Sequence, residues 1–257
     1  MGRGPPVMIG SRRVALQPGH VLHQRPYRDT SLLVEALTPD FGRVGLVARG
    51  ARGPRSRMRG LLQPFRPLLL SWAGGGDLST LVGVEADGPM RVLQGAGLLS
   101  GFYVNELLVR LTTRHDPHSG LYRSYSETLV ALQQPGREEP VLRMFEKRLL
   151  QELGYGLLLD REALTERAIE PDRLYRYRLE QGPVPAEQAT SGDPAIHGRT
   201  LLALAREDAV LDAEGLREAK KLMRAAIARQ LGERPLKSRD LFQGWPRHAR
   251  DGSGHGG

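Results

Sequence analysis

The sequence predicts an α+β protein of more than one domain, in which a small five-stranded barrel is followed by a mainly α-helical region. Two observations support this prediction. Up to Asp87, short apolar or β-branched runs alternate with turn residues at the spacing of small all-β domains. After the turn signal Asp87-Gly88-Pro89, the apolar period changes from two residues to about 3.6, which is the period of an α-helix.

Five strands are predicted in the first region, at Val14–Arg25, Thr30–Thr38, Arg43–Arg49, Phe65–Trp72 and Leu78–Asp87. Turn residues separate the second strand from the third and the fourth from the fifth. A closed barrel is favoured because closure leaves no strand edge exposed. An OB-fold barrel is the preferred architecture. An SH3-like barrel or half of a β-sandwich is the alternative that the pattern leaves open.

Alternation along the third strand predicts which side chains face inward. Val44, Leu46 and Ala48 alternate with Arg43 and Arg49. The apolar residues are therefore expected in the barrel core and the guanidinium groups on the outer face.

Apolar periodicity predicts five helices in the second region, at about 98–113, 121–132, 139–153, 200–205 and 213–231. On the first helix, one face carries Leu99, Phe102, Tyr103, Leu107 and Leu111. The domain boundaries follow: a flexible extension at 1–13, the barrel at 14–88, a helical domain at 89–243 with an irregular insertion at about 154–197, and a disordered tail at 244–257. One short hairpin is expected in the insertion, at about Leu174–Glu180.

Composition excludes several classes of chemistry. The 257 residues include no cysteine, which excludes disulfides, thiolate catalysis, iron–sulfur clusters and cysteine-ligated zinc sites. No apolar run approaches the roughly 18–20 residues of a membrane-spanning helix, and the first residues lack the apolar core of a secretory signal. We therefore expect a soluble cytoplasmic protein.

Positive charge is concentrated near the start of the chain. The net charge is +8, and residues 1–72 hold twelve arginines against three acidic residues. Within 49–59 there are five arginines and no acidic residue. Such a segment between two strands can follow a phosphate backbone. Tyr27, Phe41, Phe65 and Trp72 are the nearby candidates for base stacking, and burial of Phe65 and Trp72 in the core is the alternative.

A second basic region lies on the last predicted helix, where Lys220, Lys221 and Arg224 occupy neighbouring faces. Balancing the dipole at the end of the helix is a structural alternative for some of these charges. The sequence thus assigns the following DNA-binding residues: Arg25, Arg28, Arg43, Arg49, Arg52, Arg55, Arg57, Arg59, Lys220, Lys221 and Arg224.

Catalytic and cofactor motifs are absent from the sequence. No lysine follows a glycine, as a phosphate-binding P-loop requires, and Gly95–Ser100 departs from the dinucleotide-binding pattern. His115 and His118 have no second pair of ligands with which to complete a metal site. Neither a G-x-S-x-G nor an H-E-x-x-H motif is present. We therefore predict no catalytic residue, no metal and no cofactor.

Several segments resemble the RecO family of bacterial recombination mediators. GHVLHQRPYRDTSLLVEALTPDFGRVGLVARGAR and LLQPFRPLLL resemble its N-terminal OB domain. YVNELLVRL, FEKRLLQELGYG and PLKSRDLF resemble its helical domain. The segments occur in the family's order and span about Val14 to Phe242. Many members carry a four-cysteine zinc site in the insertion, which this chain cannot form.

The resemblance implies a function in recombinational DNA repair. RecO proteins bind single- and double-stranded DNA, anneal complementary strands, contact the C-terminal tail of single-stranded DNA-binding protein (SSB), and act with RecR to load RecA. RecF and RecA are expected as indirect partners, and the nucleoid as the site of action. For the SSB tail we assign Arg143, with Leu142 and Phe145 lining an apolar site. An ordinary exposed helical arginine is the alternative for Arg143.

Two other function classes remain open at this point. A structural adaptor with the same two domains would bind only proteins, and its arginines would reflect genome composition. A metal-dependent nuclease would degrade DNA in the presence of Mg²⁺. Binding of labelled oligonucleotides, and their survival, would distinguish the three.

Overall fold

The computed structural model describes residues 13–188, 192–207, 210–232 and 236–238. The predicted extension and tail therefore fall outside the described residues, apart from Arg13. Chain contacts divide the protein into two compact units. The first extends to Val92 and includes Thr112–Tyr122, and the second contains Leu93–Leu111 and the chain from Arg123 onward. The segment Thr112–Tyr122 thus joins the barrel, although the sequence assigned it to the helical domain.

The first unit is a closed five-stranded barrel with strand order β1-β2-β3-β5-β4. Its elements are β1 (Arg13–Tyr27), β2 (Ser31–Thr38), β3 (Gly42–Ala48), α1 (Arg57–Leu61), β4 (Pro67–Ala73) and β5 (Ser79–Ala86). β1 pairs antiparallel with both β2 and β4, and a short parallel pairing of β3 with β5 completes the closure. The predicted OB-fold barrel is confirmed, and an open half-sandwich is excluded by the closure.

The core of the barrel contains the apolar residues that strand alternation predicts. Val44, Leu46 and Ala48 are fully buried or nearly so. Phe65 and Trp72 are also core side chains, so the alternative interpretation of these two aromatics is correct. Phe41 packs edge-on against Trp72, with 5.2 Å between the ring centroids.

The turn between β2 and β3 requires a glycine. Gly42 has a φ of +61°, a backbone conformation that residues with a Cβ rarely adopt. A Cβ at this position would also collide with the backbone of Asp116. The glycine therefore allows the Thr112–Tyr122 segment to lie directly against the barrel.

An ion-pair network holds that segment in place. Arg43 Nη1 donates to Glu35 Oε2 over 2.6 Å, and Arg114 Nε donates to the same oxygen over 3.2 Å. Arg43 also donates to the hydroxyl of Thr112 at 3.1 Å and to its carbonyl at 2.7 Å. Arg43 lies on the outer face of β3, as the alternation predicts, but the segment Thr112–Tyr122 covers that face, so that the Arg43 side chain is only 13% exposed.

The second unit contains five helices and a small antiparallel sheet. The helices are α2 (Gly95–Leu111), α3 (Ser119–Ala131), α4 (Glu138–Glu152), α5 (Gly198–Arg206) and α6 (Ala213–Leu231). Each lies within a few residues of a predicted helix, although α3 begins in the first unit. Leu99, Tyr103 and Leu107 of α2 are buried as expected, whereas Phe102 is 39% exposed and does not belong to the inward face.

The insertion is more ordered than its sequence suggests. It forms a three-stranded sheet with order β7-β6-β8, from β6 (Leu174–Arg178), β7 (Gly182–Pro185) and β8 (Ala195–His197). Tyr175 and Tyr177 of the central strand are buried, and burial raises the pKa of the Tyr177 hydroxyl. The Tyr175 hydroxyl accepts a hydrogen bond from the backbone N–H of Glu170 over 3.0 Å. Packing and hydrogen bonds thus hold the described part of the insertion together.

Two of the segments that resemble RecO meet in this unit. The carboxylate of Glu106, on α2, accepts hydrogen bonds from the backbone N–H groups of Lys237 and Ser238 at 2.9 and 2.8 Å. Burial favours a higher pKa for Glu106, but these hydrogen bonds and the charge of Arg110 hold the pKa below its ordinary value. The contact fixes 236–238 against α2.

We expect Glu35→Gln to lower the free energy of unfolding by about 2–3 kcal/mol, because two guanidinium groups lose their carboxylate inside the fold. Burial alone would raise the pKa of Glu35, but the hydrogen bonds and charges of Arg114 and Arg43 hold it below its ordinary value. A lowered pKa stabilises the fold above the unfolded-state pKa of about 4.3, and this stabilisation is lost as the pH falls through the folded-state pKa. Urea unfolding at several pH values measures both effects.

The matched control is Glu85→Gln, which changes an exposed carboxylate on β5 of the same barrel. We expect it to shift the unfolding midpoint by less than about 0.5 kcal/mol. Equal effects of the two substitutions would show that the ion-pair network does not stabilise the barrel.

Candidate nucleic-acid interface

The segment between β3 and α1 displays its arginines to solvent. Arg49, Arg52 and Arg55 are exposed, as are Arg57 and Arg59 on α1. None of the five forms an ion pair with an acidic residue in the part of the chain that the structure describes. Their charges are therefore available to a polyanion, as the sequence predicts for this segment. We refer to residues 49–59 as the arginine segment.

The arginine segment is attached to the turn between β1 and β2. The backbone N–H of Arg52 donates to the carbonyl of Thr30 over 2.9 Å. Arg52 Nη1 lies 3.3 Å from the carbonyl oxygens of Arg28 and Asp29. A guanidinium has five N–H donors, so these contacts orient the side chain and leave donors for a ligand. Arg25 and Arg28, near the end of β1, are also exposed and thus belong to the same positively charged region.

A first cleft of about 520 Å³ lies between the arginine segment and the end of the β1–β2 hairpin. Three arginines line it, namely Arg25, Arg52 and Arg59. The other described lining residues are the amides Gln24 and Gln63 and the apolar residues Pro26, Leu32 and Ala51. No acidic side chain is among them, so the cleft offers positive charge beside an apolar surface.

A second cleft, of about 480 Å³, is formed by the β1–β2 turn and its neighbours. Tyr27, Arg28 and Arg49 line it, together with residues of β2, β3 and β5. The guanidinium carbon of Arg28 lies 5.3 Å from the centroid of the Tyr27 ring, within the range of a cation–π contact. Of the four aromatic residues considered for base stacking, Tyr27 is the one that lines a cleft and is only partly buried.

The second basic region, on α6, is partly neutralised. Lys220 forms an ion pair with Glu139 of α4. Lys221 and Arg224 are exposed, and so is Arg217 one turn before Lys221. Spacings of four and three residues place Arg217, Lys221 and Arg224 on one face of the helix. Of the predicted residues in this region, Lys221 and Arg224 thus remain the accessible cations.

The three residues assigned to the SSB tail are buried in the second unit. Leu142 and Phe145 are core side chains of α4, and the Arg143 side chain is only 5% exposed. Arg143 Nη2 donates to Glu146 Oε1 over 2.7 Å, and the Tyr103 hydroxyl donates to the same oxygen over 2.6 Å. The alternative of an ordinary exposed arginine is therefore wrong.

This buried pair is incompletely satisfied. Burial raises the pKa of the Glu146 carboxyl above its ordinary value, even though Arg143 and Tyr103 both favour its charged form. Arg143 Nε and Nη1 and Glu146 Oε2 have no hydrogen-bond partner among the described residues. An unpartnered buried group is costly, so these atoms reduce the stability that the pair contributes, and they have almost no exposure to solvent.

One group of metal-ligating side chains occurs in the described residues, formed by His197, Glu214 and Glu218. Hydrogen bonds and an ion pair within the protein explain why these three side chains lie close together. Glu218 Oε1 lies 2.6 Å from His197 Nδ1, and Glu218 Oε2 accepts from the Thr200 hydroxyl over 2.6 Å. Glu214 is paired with Arg199. These contacts join β8, α5 and α6.

Sequence reasoning missed the two glutamines of the first cleft. Gln24 and Gln63 are far apart in the sequence and carry no motif, and only the folded barrel places both of them on one cleft. Among the described helices, none is long and apolar enough to cross a membrane.

Comparison with known proteins identifies the family. Residues 13–89 match the family model described as Recombination protein O N terminal, and residues 94–240 match Recombination protein O C terminal. A DNA repair protein RecO from Nitrosococcus oceani is 52% identical over 231 residues, which cover 90% of this chain and 94% of the relative. Relatives of the same name from Alkalilimnicola ehrlichii and Coxiella burnetii are 50% and 47% identical, each over 90% of this chain and over 92% and 99% of the relative. The barrel, the helical unit and these matches lead to one conclusion: the chain belongs to the RecO family.

Proposed function

We propose that this protein is a DNA-binding recombination mediator that anneals complementary strands. Membership of the RecO family supports a role in recombinational DNA repair. The observation that carries the DNA-binding proposal is the arginine segment, whose five cations are exposed and form no ion pair with a described acidic residue. Two clefts without acidic lining adjoin it.

The proposed mechanism of annealing is electrostatic. Two single strands repel each other, and cationic side chains that contact their phosphates reduce that repulsion. Phosphate contacts leave the base edges free to pair. Lys221 and Arg224 on the second unit are proposed as further phosphate contacts, together with Arg25 and Arg28 on the first. Arg43 is not proposed, because its guanidinium is committed to Glu35 and Thr112.

The protein partners proposed for this chain are the SSB tail and RecR, with RecF and RecA engaged indirectly at the nucleoid. For the SSB tail, the proposal of Arg143 is carried by the resemblance alone, because its guanidinium is buried against Glu146 and its Nε and Nη1 atoms have almost no exposure to solvent. No catalytic step is proposed for this chain. A protein-only adaptor and a nuclease are the outcomes that the following experiments would reveal instead.

Replacing Arg52, Arg55 and Arg57 together by Ala tests the phosphate contacts. Each contact with single-stranded DNA contributes about 0.7 to the slope of log K against log[salt], so the slope should decrease by roughly 2. Affinity should fall to a similar extent for all sequences, since phosphate contacts carry no base information. Fluorescence anisotropy with labelled oligonucleotides at several salt concentrations provides the measurement.

A matched triple variant, with Arg123, Arg137 and Arg167 replaced by Ala, removes the same charge from exposed positions outside the interface. Its salt slope should equal that of the unchanged protein. If both triple variants reduce the slope equally, net charge rather than the arginine segment governs binding. A loss of the cooperative thermal transition would show instead that the three arginines are structural.

Annealing of SSB-coated complementary strands tests the mediator role. We expect the protein to accelerate duplex formation above the spontaneous rate, and the arginine-segment variant to lose most of that acceleration. A fluorescent pair on the two strands reports duplex formation. Oligonucleotide binding without any acceleration would reduce the function to DNA binding, and shortening of the strands with Mg²⁺ would indicate a nuclease.

Arg143 requires a pair of variants because it is buried with Glu146. Arg143→Ala should destabilise the protein by about 3–5 kcal/mol, since it leaves the Glu146 carboxyl buried without its partner. The double variant Arg143→Met with Glu146→Leu removes both charges and should retain a cooperative thermal transition. Anisotropy with a labelled SSB tail peptide should show weak binding to this double variant. Undiminished peptide binding would show that the pair serves only the fold.

A further inference from the structure

A residue that lines the first cleft carries a buried hydrogen-bond acceptor without a partner among the described residues. Oε1 of Gln24 has no hydrogen-bond partner among the described residues and almost no exposure to solvent. Gln24 lies on β1, where it pairs with Val34 of β2, so its backbone is held by the barrel. Buried polar atoms in native proteins almost always have partners, and an exception at the wall of a cleft indicates a position for a ligand.

Gln63 provides a second acceptor on the same cleft. Its Nε2 donates to the carbonyl of Arg59 over 2.8 Å, and this contact fixes which end of the amide is the oxygen. Both glutamines line the cleft and can therefore offer carbonyl oxygens to one ligand. A ligand that satisfies them must carry hydrogen-bond donors, such as N–H groups.

The remaining lining residues favour an anionic ligand with a flat apolar part. Arg25, Arg52 and Arg59 supply the positive charge, and Leu32 and Ala51 supply an apolar surface. The volume of about 520 Å³ lies within the range of small-molecule pockets. A free phosphate or a protein carboxylate would suit the arginines, but neither has a flat apolar part to cover Leu32 and Ala51. A nucleotide has both parts, because its base carries donors and its phosphate carries the charge.

We propose that this cleft binds one unpaired nucleotide of a DNA strand, with the base edge on Gln24 and Gln63 and the phosphates on the arginines. The proposal rests on the proposed DNA-binding function and adds a contact to the base. Cytosine and adenine carry an exocyclic amino group on the edge used in pairing, whereas thymine has no amino group. In a duplex that edge is already paired, so the cleft selects single strands. The phosphate contacts of the arginine segment do not distinguish single strands from duplexes.

The experiment uses three oligonucleotides of about twelve positions, a length within the usual site size of single-strand binding folds. One is abasic throughout, the second carries a single cytosine at its centre, and the third a single thymine. Their phosphates are the same, so affinity differences report the base alone. We expect the cytosine strand to bind about fivefold more tightly than the abasic strand, as one or two hydrogen bonds allow, with the thymine strand between them.

The test variant is Gln24→Leu with Gln63→Leu, which removes both acceptors at nearly constant volume. It should bind the cytosine strand no better than the abasic strand, while its affinity for the abasic strand and for a duplex stays unchanged. Its salt slope should also be unchanged, since no charge is lost. Gln133→Leu, at an exposed position of the second unit, is the control and should retain the fivefold difference.

Each contrary outcome has a definite meaning. Equal affinity of the unchanged protein for the abasic and cytosine strands overturns the base-binding site and leaves DNA binding through phosphates intact. A uniform loss of affinity in the double glutamine variant for all ligands also overturns it, because the glutamines would then shape the fold. If the unchanged protein binds none of the oligonucleotides, the proposed DNA-binding function fails, and the base-binding site fails with it.

Discussion

β1 is hydrogen-bonded to β4 along its first half and to β2 along its second half, and this double pairing closes the barrel. The strand must bend to reach both partners, and its register shifts near Val14–Gln17 and again near Val21–His23. Such irregularities increase the local twist of a strand. The antiparallel pairing of β2 with β3 places Leu32 beside Ala48 and thereby brings the β1–β2 turn beside the chain that follows β3, where the N–H of Arg52 donates to the carbonyl of Thr30. Both clefts of the candidate interface depend on that meeting.

Arginines in this chain have two roles that the tertiary structure separates. Arg43, Arg114 and Arg143 are paired with buried carboxylates, Glu35 and Glu146, and they stabilise the units that contain them. The arginines of 49–59 form no such pairs with described residues and remain exposed. Only the second kind can release counterions from DNA, because a guanidinium held by a carboxylate is already neutralised. The high arginine content therefore overstates the charge available for binding.

Packing and ion pairs hold the described part of the insertion together. Its strands are short, but buried tyrosines on β6 and the ion pair of Arg173 with the buried Glu162 give it a core of its own. A strand of three residues such as β8 is too short to show an alternation of apolar and polar residues. The sequence therefore predicts only a hairpin in the insertion. Its position follows from pairing with β6, which is a long-range contact.

The sequence by itself determined the two-part architecture, the strands and helices to within a few residues, and the family. It did so because apolar periodicity and turn residues act locally, and because the quoted family segments cover most of the chain. The exposed arginine segment was also predictable, since no acidic residue lies within it. Only the tertiary structure decided that Arg43 and Arg143 are paired with Glu35 and Glu146, that Thr112–Tyr122 packs on the barrel, and that Gln24 and Gln63 line one cleft. Those outcomes depend on partners distant in sequence, and a side chain's environment is set by the groups packed around it rather than by its neighbours along the chain.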